Sequence, residues 1–599
     1  MNTAGSPIQL RVPAATRPSL TFCDSNVAAI AEWANSLPMA NTGEVAKALF
    51  NAIREVNQWD TSSSIRYQSL ETLRSYLYST TRMLGKHFLQ AGDSLSEQQV
   101  KVANLHHSLL EQLAIGYRMV IAKKVRYPRS TDKSKHILTV SLYRAMTVTA
   151  EIILHASMLH RSAPARCWLD VNQLYLIAEA RGLTDIQVSN PHLAFSDSAS
   201  IQDAFIRVHL LGLARTPSLR QQDIAYLYRA TEQWAFLCEI NGPDDKGSLF
   251  TIDLTDDRPA RYQSQVKDVL PERHRKLNTA SLVQALKSHI ANPEKNLSQG
   301  IVVPDNVSEV VLNHVVKCWG IQWQRSFRRA KENDELTLCI GMTALHYFCS
   351  EQQEFKDVLH LLNKKPVQEE QDELFSQTRT RKVDYDIWSG GFDVEYLDEE
   401  PAPLSLQTEV VPPPEQLPES PPAHDLYKVR LINISPGGYG LHWTGKRAKS
   451  LQPGELVGIR EDGRSQWSIG VISWMNHPQS EGVQIGVELL SPNGEPAAAR
   501  LLNKKGINDQ PVRALILPEI KAIAQPVSVL VPRLHFRQGS KVEIFHPTLS
   551  GRFQLTAQMK ETHSFCRFQF RKQETHPDQT ALTENGGSGD EFDSIWNKL

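Results

Sequence analysis

The spacing of hydrophobic residues changes along this chain, and that change most limits the folds it can adopt. From about residue 26 to 240, apolar side chains recur at steps of three and four, as in SSIRYQSLETLRSYLYSTTRMLGKHFLQ (63–90). This spacing is typical of helices that bury one face. From 425 onward, apolar and polar residues alternate in short runs such as YKVRLINI and VQIGVELL, separated by Gly, Pro and Asn. Such runs predict small antiparallel β-barrels, so we expect an α+β multidomain protein.

The helical part is predicted to be an antiparallel array of long helices with short connections. One of them begins at Ser96, which is followed by Gln98 and Gln99 in the manner of a capping box. A short strand pattern interrupts the array at 248–262, and helical spacing returns in 279–291 and 308–323. ELTLCIGM (335–342) then alternates like a strand.

A chain of 599 residues is too long for a single hydrophobic core, so several domains are expected. The acidic and Pro-rich segment 350–424 cannot build a core and is predicted to be a linker or insertion. AAARLLNKK (497–505) is predicted to be a helix that closes the first barrel. The predicted organisation is a flexible arm (1–25), a helical domain (26–318), a first barrel strand with its approach (319–349), the insertion (350–424), the rest of the barrel with its closing helix (425–510), a second β-rich domain (511–575) and a disordered tail (576–599).

Charge and composition limit the classes of ligand and partner that the chain is expected to bind. The formal net charge is −1, so no overall field attracts nucleic acid or an anionic membrane, and an anionic ligand must be held by a local group of arginines. The seven cysteines are far apart and form no CxxC pair, which argues against a disulfide framework or a zinc site. The N-terminus has no signal-peptide core, and no apolar run is long enough to span a membrane. We therefore expect a cytoplasmic protein that binds no nucleic acid and has no membrane span.

Catalytic signals are missing from the sequence. There is no phosphate-binding GxxxxGK[ST] loop, no HExxH and no GxSxG nucleophile elbow. His106, His107, His155 and His160 lie in helical segments and are expected to be ordinary packing or surface residues. The chain is therefore predicted not to be an enzyme and to need no cofactor or metal.

The run Asn433-Ile434-Ser435-Pro436-Gly437-Gly438 stands between a strand and a turn. Asn433 and Ser435 are two residues apart and would point to the same face of an extended strand. Gly437 and Gly438 permit positive φ angles and let a ligand approach the backbone. A tight turn explains the same residues equally well, so the run alone predicts only a local conformation.

The residues after this run make it more informative. LQPGELVGIRE is followed by Gly470-Val471-Ile472-Ser473-Trp474 and then by Gly486-Val487-Glu488-Leu489. Over 425–492 this order resembles the PilZ domain family, with its [D/N]xSxxG motif and its GxVxW-like and GVxL-like strands. The resemblance implies a PilZ-like antiparallel β-barrel that binds cyclic-di-GMP. It also implies an RxxxR motif before the first strand, whose arginines wrap the dinucleotide.

The position of that second motif leaves two alternatives open. No arginine lies between Arg381 and Arg430, but Arg325 and Arg329 form an RxxxR ahead of the strand ELTLCIGM. The barrel is then split, with 350–424 as an insertion, which is thermodynamically inexpensive because closure cost rises only with the logarithm of loop length. Alternatively, the barrel has lost its ligand site and acts as a scaffold or adaptor. A second RxxxR, at Arg533 and Arg537, is expected to be solvated charge.

On the first alternative, the ligand-binding residues are Arg325, Arg329, Asn433, Ser435, Gly437 and Gly438. Cyclic-di-GMP would draw the two arginines against the barrel mouth and reorient the helical domain, which would bind an unidentified protein partner. The resemblance further implies a bacterial signalling role in motility, surface attachment or biofilm formation.

Overall fold

The computed structural model describes residues 10–89, 95–292, 301–322, 330–332, 334–363, 424–448, 450–478, 482–502, 510–521, 524–533 and 536–573. The helices within these ranges are α1 (Val27–Asn35), α2 (Thr42–Gln58), α3 (Ser63–Lys86), α4 (Glu97–Arg126), α5 (Asp132–Met158), α6 (Cys167–Ala180), α7 (Ile201–Leu213), α8 (Gln221–Ala230), α9 (Ala280–Ala291), α10 (Glu309–Gly320), α11 (Gly341–Cys349) and α12 (Phe355–Asn363).

The strands fall into four groups. They are β1 (Val188–Ser189), β2 (Ser198–Ala199), β3 (Glu239–Asn241), β4 (Phe250–Asp253), β5 (Arg261–Tyr262), β6 (His274–Asn278), β7 (Ala330–Lys331), β8 (Glu335–Ile340), β9 (Tyr427–Ser435), β10 (Gly438–Trp443), β11 (Leu456–Glu461), β12 (Ser468–Asn476), β13 (Val483–Ser491), β14 (Glu495–Leu501), β15 (Val512–Leu517), β16 (Ser528–Pro532), β17 (Lys541–Phe545), β18 (Gly551–Glu561) and β19 (Phe565–Lys572).

The N-terminal region is a helical array built around α5. This helix is apolar on most of its surface and packs against α4, α6, α7 and α8, as expected of a helix in the centre of a core. By length and composition it could cross a membrane, but 83% of its most apolar window is buried inside the protein. Helix α4 begins as predicted: Ser96 and Gln99 form a capping box, in which each side chain accepts from the other residue's backbone N–H.

The predicted helical region also contains β structure between its helices. Strands β3 to β6 form an antiparallel sheet in the order β3-β6-β4-β5, and β4 corresponds to the expected strand in SLFTIDL. Helices α9 and α10 follow this sheet and pack on each other.

The first barrel is assembled from two separated pieces of the chain. Strand β8 pairs antiparallel with β9, with Leu336 opposite Val429 and Leu338 opposite Tyr427. Strand β9 also pairs with β10, which closes the ring β8-β9-β10-β13-β12-β11. The interior is filled by apolar side chains that alternate with outward-facing residues, among them Leu441, Trp443 and Ile485. This is the PilZ-like barrel with an insertion that the sequence predicts.

The second β region is a closed six-stranded barrel of order β14-β15-β16-β19-β18-β17. Its first strand corrects one prediction, because the segment expected to be a closing helix, 497–505, is a strand as far as Leu501, and 503–509 lie outside the described residues. Ala497, Ala498 and Ala499 are fully buried between β15 and β17. The predicted boundary at 510 was therefore wrong, since the second barrel begins at Glu495.

The three parts of the chain contact one another directly. Helix α11 and the outer surface of the first barrel share a hydrophobic cluster with strands of the second barrel, including Leu345, Leu456 and Leu530. The helical region joins both barrels through Arg220, whose guanidinium donates to the carbonyl of Pro453 (3.3 Å) and to Ser564 Oγ (2.7 Å). The side chain of Arg220 thus makes polar contacts that link all three parts.

Candidate ligand-binding site

The run Asn433 to Gly438 forms the hairpin between β9 and β10. Ser435 lies opposite Gly438, and Pro436 and Gly437 form the two-residue turn between them. Ser435 Oγ donates to the carbonyl oxygen of Gly438 (3.3 Å), and the carbonyl of Gly437 accepts from the N–H of Leu489 (3.0 Å). The turn is therefore held against β13 as well as within itself.

The backbone conformation at position 438 requires a glycine. Its φ is +145°, a conformation that residues with a side chain rarely adopt. A Cβ at this position would overlap the carbonyl oxygen of Val487 on the neighbouring strand. The glycine thus brings β10 close to β13 and shapes the surface beside the hairpin.

Two rows of residues cross the outside of the barrel at this hairpin. The pairing of β9, β10, β13 and β12 aligns Asn433, Gly440, Gly486 and Trp474 in one row. The next row contains Ser435, Gly438 and Glu488. Both rows face outward, because the alternate residues Leu441, Ile485 and Val487 fill the barrel interior. We call the surface made by these two rows the hairpin face.

The two central glycines of the first row make room for the side chains of Asn433 and Trp474 on this face. A Cβ at Gly440 would lie 2.7 Å from the side-chain amide of Asn433, and a Cβ at Gly486 would overlap the indole of Trp474. The amide and the indole therefore lean over the glycines from opposite sides. The half-buried amide and the half-buried indole thus cover the buried backbone of both glycines, and together they offer polar and aromatic groups to a planar, hydrogen-bonding ligand.

The structure brings together four of the predicted site residues: Asn433, Ser435, Gly437 and Gly438. Arg325 and Arg329 lie outside the described residues. The next residues in the chain are described: Ala330 pairs with Ile434 and Lys331 pairs with Asn433. The segment that leaves the RxxxR motif therefore runs along the edge of the hairpin face.

Sequence reasoning missed part of this face. Gly440 was not singled out, although an isolated glycine inside a strand pattern signals a close backbone approach, and Gly486 was noted only as part of the family pattern. Trp474 was noted only as part of the family pattern. Its neighbourhood with Asn433 depends on bulges in β9 and β12 that shift the register.

Two other predictions about charged groups can be compared with the structure. Arg533 is not freely solvated, because its Nε donates to Glu561 Oε1 (3.0 Å) and its side chain is 33% exposed, whereas Arg537 is exposed. The rings of His106 and His155 lie 4.5 Å apart, edge to face, within the helical core. No group of three or more potential metal ligands occurs within the described ranges.

Comparison with known proteins accounts for almost the whole chain. Residues 28–245 match the family described as cyclic-di-GMP receptor FimW, N-terminal domain; 249–496 match its middle PilZ domain; and 497–573 match the FimW C-terminal beta-barrel domain. The middle match begins at 249, well before the boundary at 318 expected from the sequence, and includes the β3–β6 sheet in large part together with α9 and α10.

A relative from Pseudomonas aeruginosa, the cyclic-di-GMP receptor FimW, is 32% identical over 620 residues and is matched over 100% of both chains. No solved structure matches the chain significantly. Since the identity extends over the full length and all three FimW domains are matched in order, the chain belongs to the FimW family of cyclic-di-GMP receptors.

Proposed function

We propose that this chain is a receptor that binds cyclic-di-GMP on the hairpin face of its PilZ barrel and has no catalytic activity of its own. The observation that carries the proposal is the alignment of Asn433, Gly440, Gly486 and Trp474 beside the intact hairpin. The description of the relative from Pseudomonas aeruginosa as a cyclic-di-GMP receptor supports it.

Five residues at the hairpin and on its face have a chemical task in this proposal. The Asn433 amide and the Ser435 hydroxyl offer donors and acceptors to the edge of a guanine. Gly437 and Gly438 let the ligand reach the backbone at the turn. The indole of Trp474 provides an aromatic surface on which a base can stack.

Arg325 and Arg329 would supply the positive charge. A guanidinium can bind guanine O6 and N7 with paired hydrogen bonds, stack on the base and neutralise a phosphate, whereas lysine does only the last well. The pairing of Ala330 with Ile434 supports this assignment, because it sets the neighbouring residue of Arg329 at the edge of the hairpin face.

We further propose that ligand binding changes the position of the helical region relative to the barrel. Helix α10 ends at Gly320, shortly before Arg325, and the hydroxyl of Tyr262 donates to the carbonyls of Cys318 and Ile321. Movement of the two arginines would therefore be transmitted through the end of α10 and Tyr262 to the β3–β6 sheet. Direct contacts also join the parts, such as the N–H of His477 on the carbonyl of His160 (2.8 Å).

The biological output follows from the same proposal. A cytoplasmic receptor of this kind would pass the signal to a protein partner through the helical region and so regulate motility, attachment or biofilm formation. Hydrogen–deuterium exchange, measured with and without ligand, would test the coupling between the barrel and the helical region. Changes in protection that are limited to the barrel would contradict this coupling.

Isothermal titration of the purified full chain with cyclic-di-GMP tests the binding function. We expect heat of binding with the parent protein and none with Arg325→Ala or Arg329→Ala. Arg537→Ala is the matched control, because Arg537 belongs to the other RxxxR and is exposed. No binding by the parent protein would refute the receptor function and favour a ligand-independent scaffold. Binding that survives both substitutions would refute only the assignment of the arginines.

A further inference from the structure

An ion pair connects the second barrel to the hairpin face. Lys560, on β18, lies 2.6 Å from Glu488 Oε1 of the first barrel. Glu488 belongs to the hairpin face, since it is directly opposite Gly438 on β10. Gly438 is in turn opposite Ser435, whose hydroxyl is proposed to contact the ligand. Two strand spacings, roughly 10 Å, therefore separate Glu488 from Ser435.

Glu488 is a carboxylate in a place where an anionic ligand would meet it. Its side chain is 48% exposed, and no residue with a side chain stands between it and Ser435 in their row. At this separation an uncompensated negative charge repels a phosphate appreciably, because the barrel surface is less polarisable than bulk water. A positive charge beside Glu488 would therefore favour the binding of a dinucleotide to the hairpin face.

The second barrel provides positive charge at this place. Lys560 is opposite Arg567 on β19, so two cations of the second barrel are neighbours. Arg567 is buried, its Nε donates to Ser528 Oγ (2.9 Å), and the charge of Glu488 partly offsets the lowering of its pKa by burial. Lys560 differs in being 26% exposed, and the four-carbon stem of a lysine has enough rotatable bonds for its ammonium group to turn between two acceptors.

Glu488 is also held independently of Lys560. Ser473 Oγ donates to the other carboxylate oxygen, Oε2, at 3.3 Å. The carboxylate can thus keep its position while Lys560 moves. Lys560 could therefore move its contact from the carboxylate of Glu488 to a second anion that is bound on the adjacent hairpin face.

We propose that Lys560 of the C-terminal barrel is part of the nucleotide site: it neutralises Glu488 in the free protein and shares its charge with a ligand phosphate in the complex. This inference rests on the proposed binding of cyclic-di-GMP at the hairpin face. It gives the C-terminal barrel a role in ligand binding, and it links occupancy of the site to the contact between the two barrels.

Calorimetric titration of the full chain with cyclic-di-GMP tests this role. Lys560→Met should weaken binding about tenfold, because Glu488 then faces the ligand uncompensated. Lys560→Arg keeps the charge and should bind within about threefold of the parent protein. The control is Lys541→Met, since Lys541 is an exposed lysine of β17 in the same barrel.

A second substitution separates charge neutralisation from damage to the fold. Glu488→Gln removes the repulsion, so the double variant Glu488→Gln/Lys560→Met should recover most of the affinity lost in Lys560→Met. A double variant as weak as Lys560→Met would overturn the proposed role of Glu488. If the parent protein binds and Lys560→Met binds as tightly as Lys541→Met, this inference fails while the receptor function stands. No heat with the parent protein refutes both.

Discussion

Lys331 lies directly opposite Asn433, on neighbouring antiparallel strands of the first barrel. The chain between them includes the acidic and Pro-rich segment 350–424, which separates the two halves of the barrel in sequence. Pairing of β7 and β8 with β9 joins these halves, at a closure cost that grows only slowly with the length of the segment. Ala330 and Lys331, which directly follow the RxxxR motif in sequence, are therefore next to the hairpin in the folded protein.

The fit of Asn433 over Gly440 can be tested by adding a single methyl group. Gly440→Ala would push the flexible amide of Asn433 aside, since the new Cβ would lie 2.7 Å from it. We expect cyclic-di-GMP binding to weaken about tenfold, the loss of one good hydrogen bond, with little change in Tm. Gly242→Ala is the control, because nothing lies within 4 Å of that site. Unchanged calorimetric affinity in Gly440→Ala would show that the position of Asn433 is unimportant.

Trp474 is predicted to stack on a base of the ligand. Trp474→Ala should weaken binding by about 1–3 kcal/mol, the usual loss on removing an aromatic platform. Trp474→Phe should retain most of the affinity, because a phenyl ring still offers an aromatic surface above Gly486. Titration calorimetry on both variants decides the question; equal losses in the two would point to a packing role for the indole instead.

Arg220 is predicted to be the main polar link between the helical region and the barrels. Arg220→Met removes its bonds to Pro453 and Ser564 and leaves the buried carboxylate of Glu455, 3.7 Å away, without its cation. Breaking such a buried pair costs about 3–5 kcal/mol, which should lower the urea midpoint at pH 8. Arg229→Met, on the exposed side of α8, should change little.

The same variant has a defined pH dependence. Burial already raises the pKa of Glu455, and loss of Arg220 removes a charge that lowers it. The folded variant then binds a proton that the unfolded chain releases, so its stability relative to the parent protein should increase as the pH falls through the raised pKa. Urea unfolding of the variant and the parent protein at pH 5 and pH 8 measures this, and the destabilisation in Arg220→Met/Glu455→Gln should be the same at both values. An Arg220→Met variant that is destabilised equally at both values, relative to the parent protein, would contradict the assignment.

The helical region is predicted to be sensitive to acid because of His106. Its side chain is 2% exposed between Phe88 and His155, and burial, with further contributions from His155 and His107, lowers its pKa to about 2. Below pH about 6.5, His106 is protonated in the unfolded chain but stays neutral in the folded chain. Stability is therefore complete above that pH and falls by about 1.4 kcal/mol per pH unit below it for each such histidine.

His106→Leu should reduce the slope of the unfolding free energy against pH between pH 6.5 and 5 by the amount that corresponds to one bound proton. Denaturant unfolding followed by circular dichroism over that range gives the slope. His136→Leu is the control, because His136 is exposed on α5. An identical slope in the parent protein and His106→Leu would mean that His106 is protonated in the folded state.

The prediction that failed shows where local pattern is insufficient. The run AAARLLNKK is rich in strong helix formers, so its propensity favours a helix. In the protein, Ala497 to Ala499 pair with β15, and Ala498 and Ala499 also pair with β17 on the other side. Closing the second barrel pairs the backbone of that strand and buries its small side chains, which outweighs the modest helix preference.

The sequence by itself determined the change from helices to strands along the chain, the capping of α4 at Ser96 and the hairpin from Asn433 to Gly438, because each depends on residues close together in the chain. Only the tertiary structure decided that Asn433, Gly440, Gly486 and Trp474 share one row and that Lys560 meets Glu488. Alternation along a strand specifies which face a side chain takes but not which strand lies beside it. Strand neighbours and register are set when the barrel closes, by bulges and by contacts between residues distant in sequence.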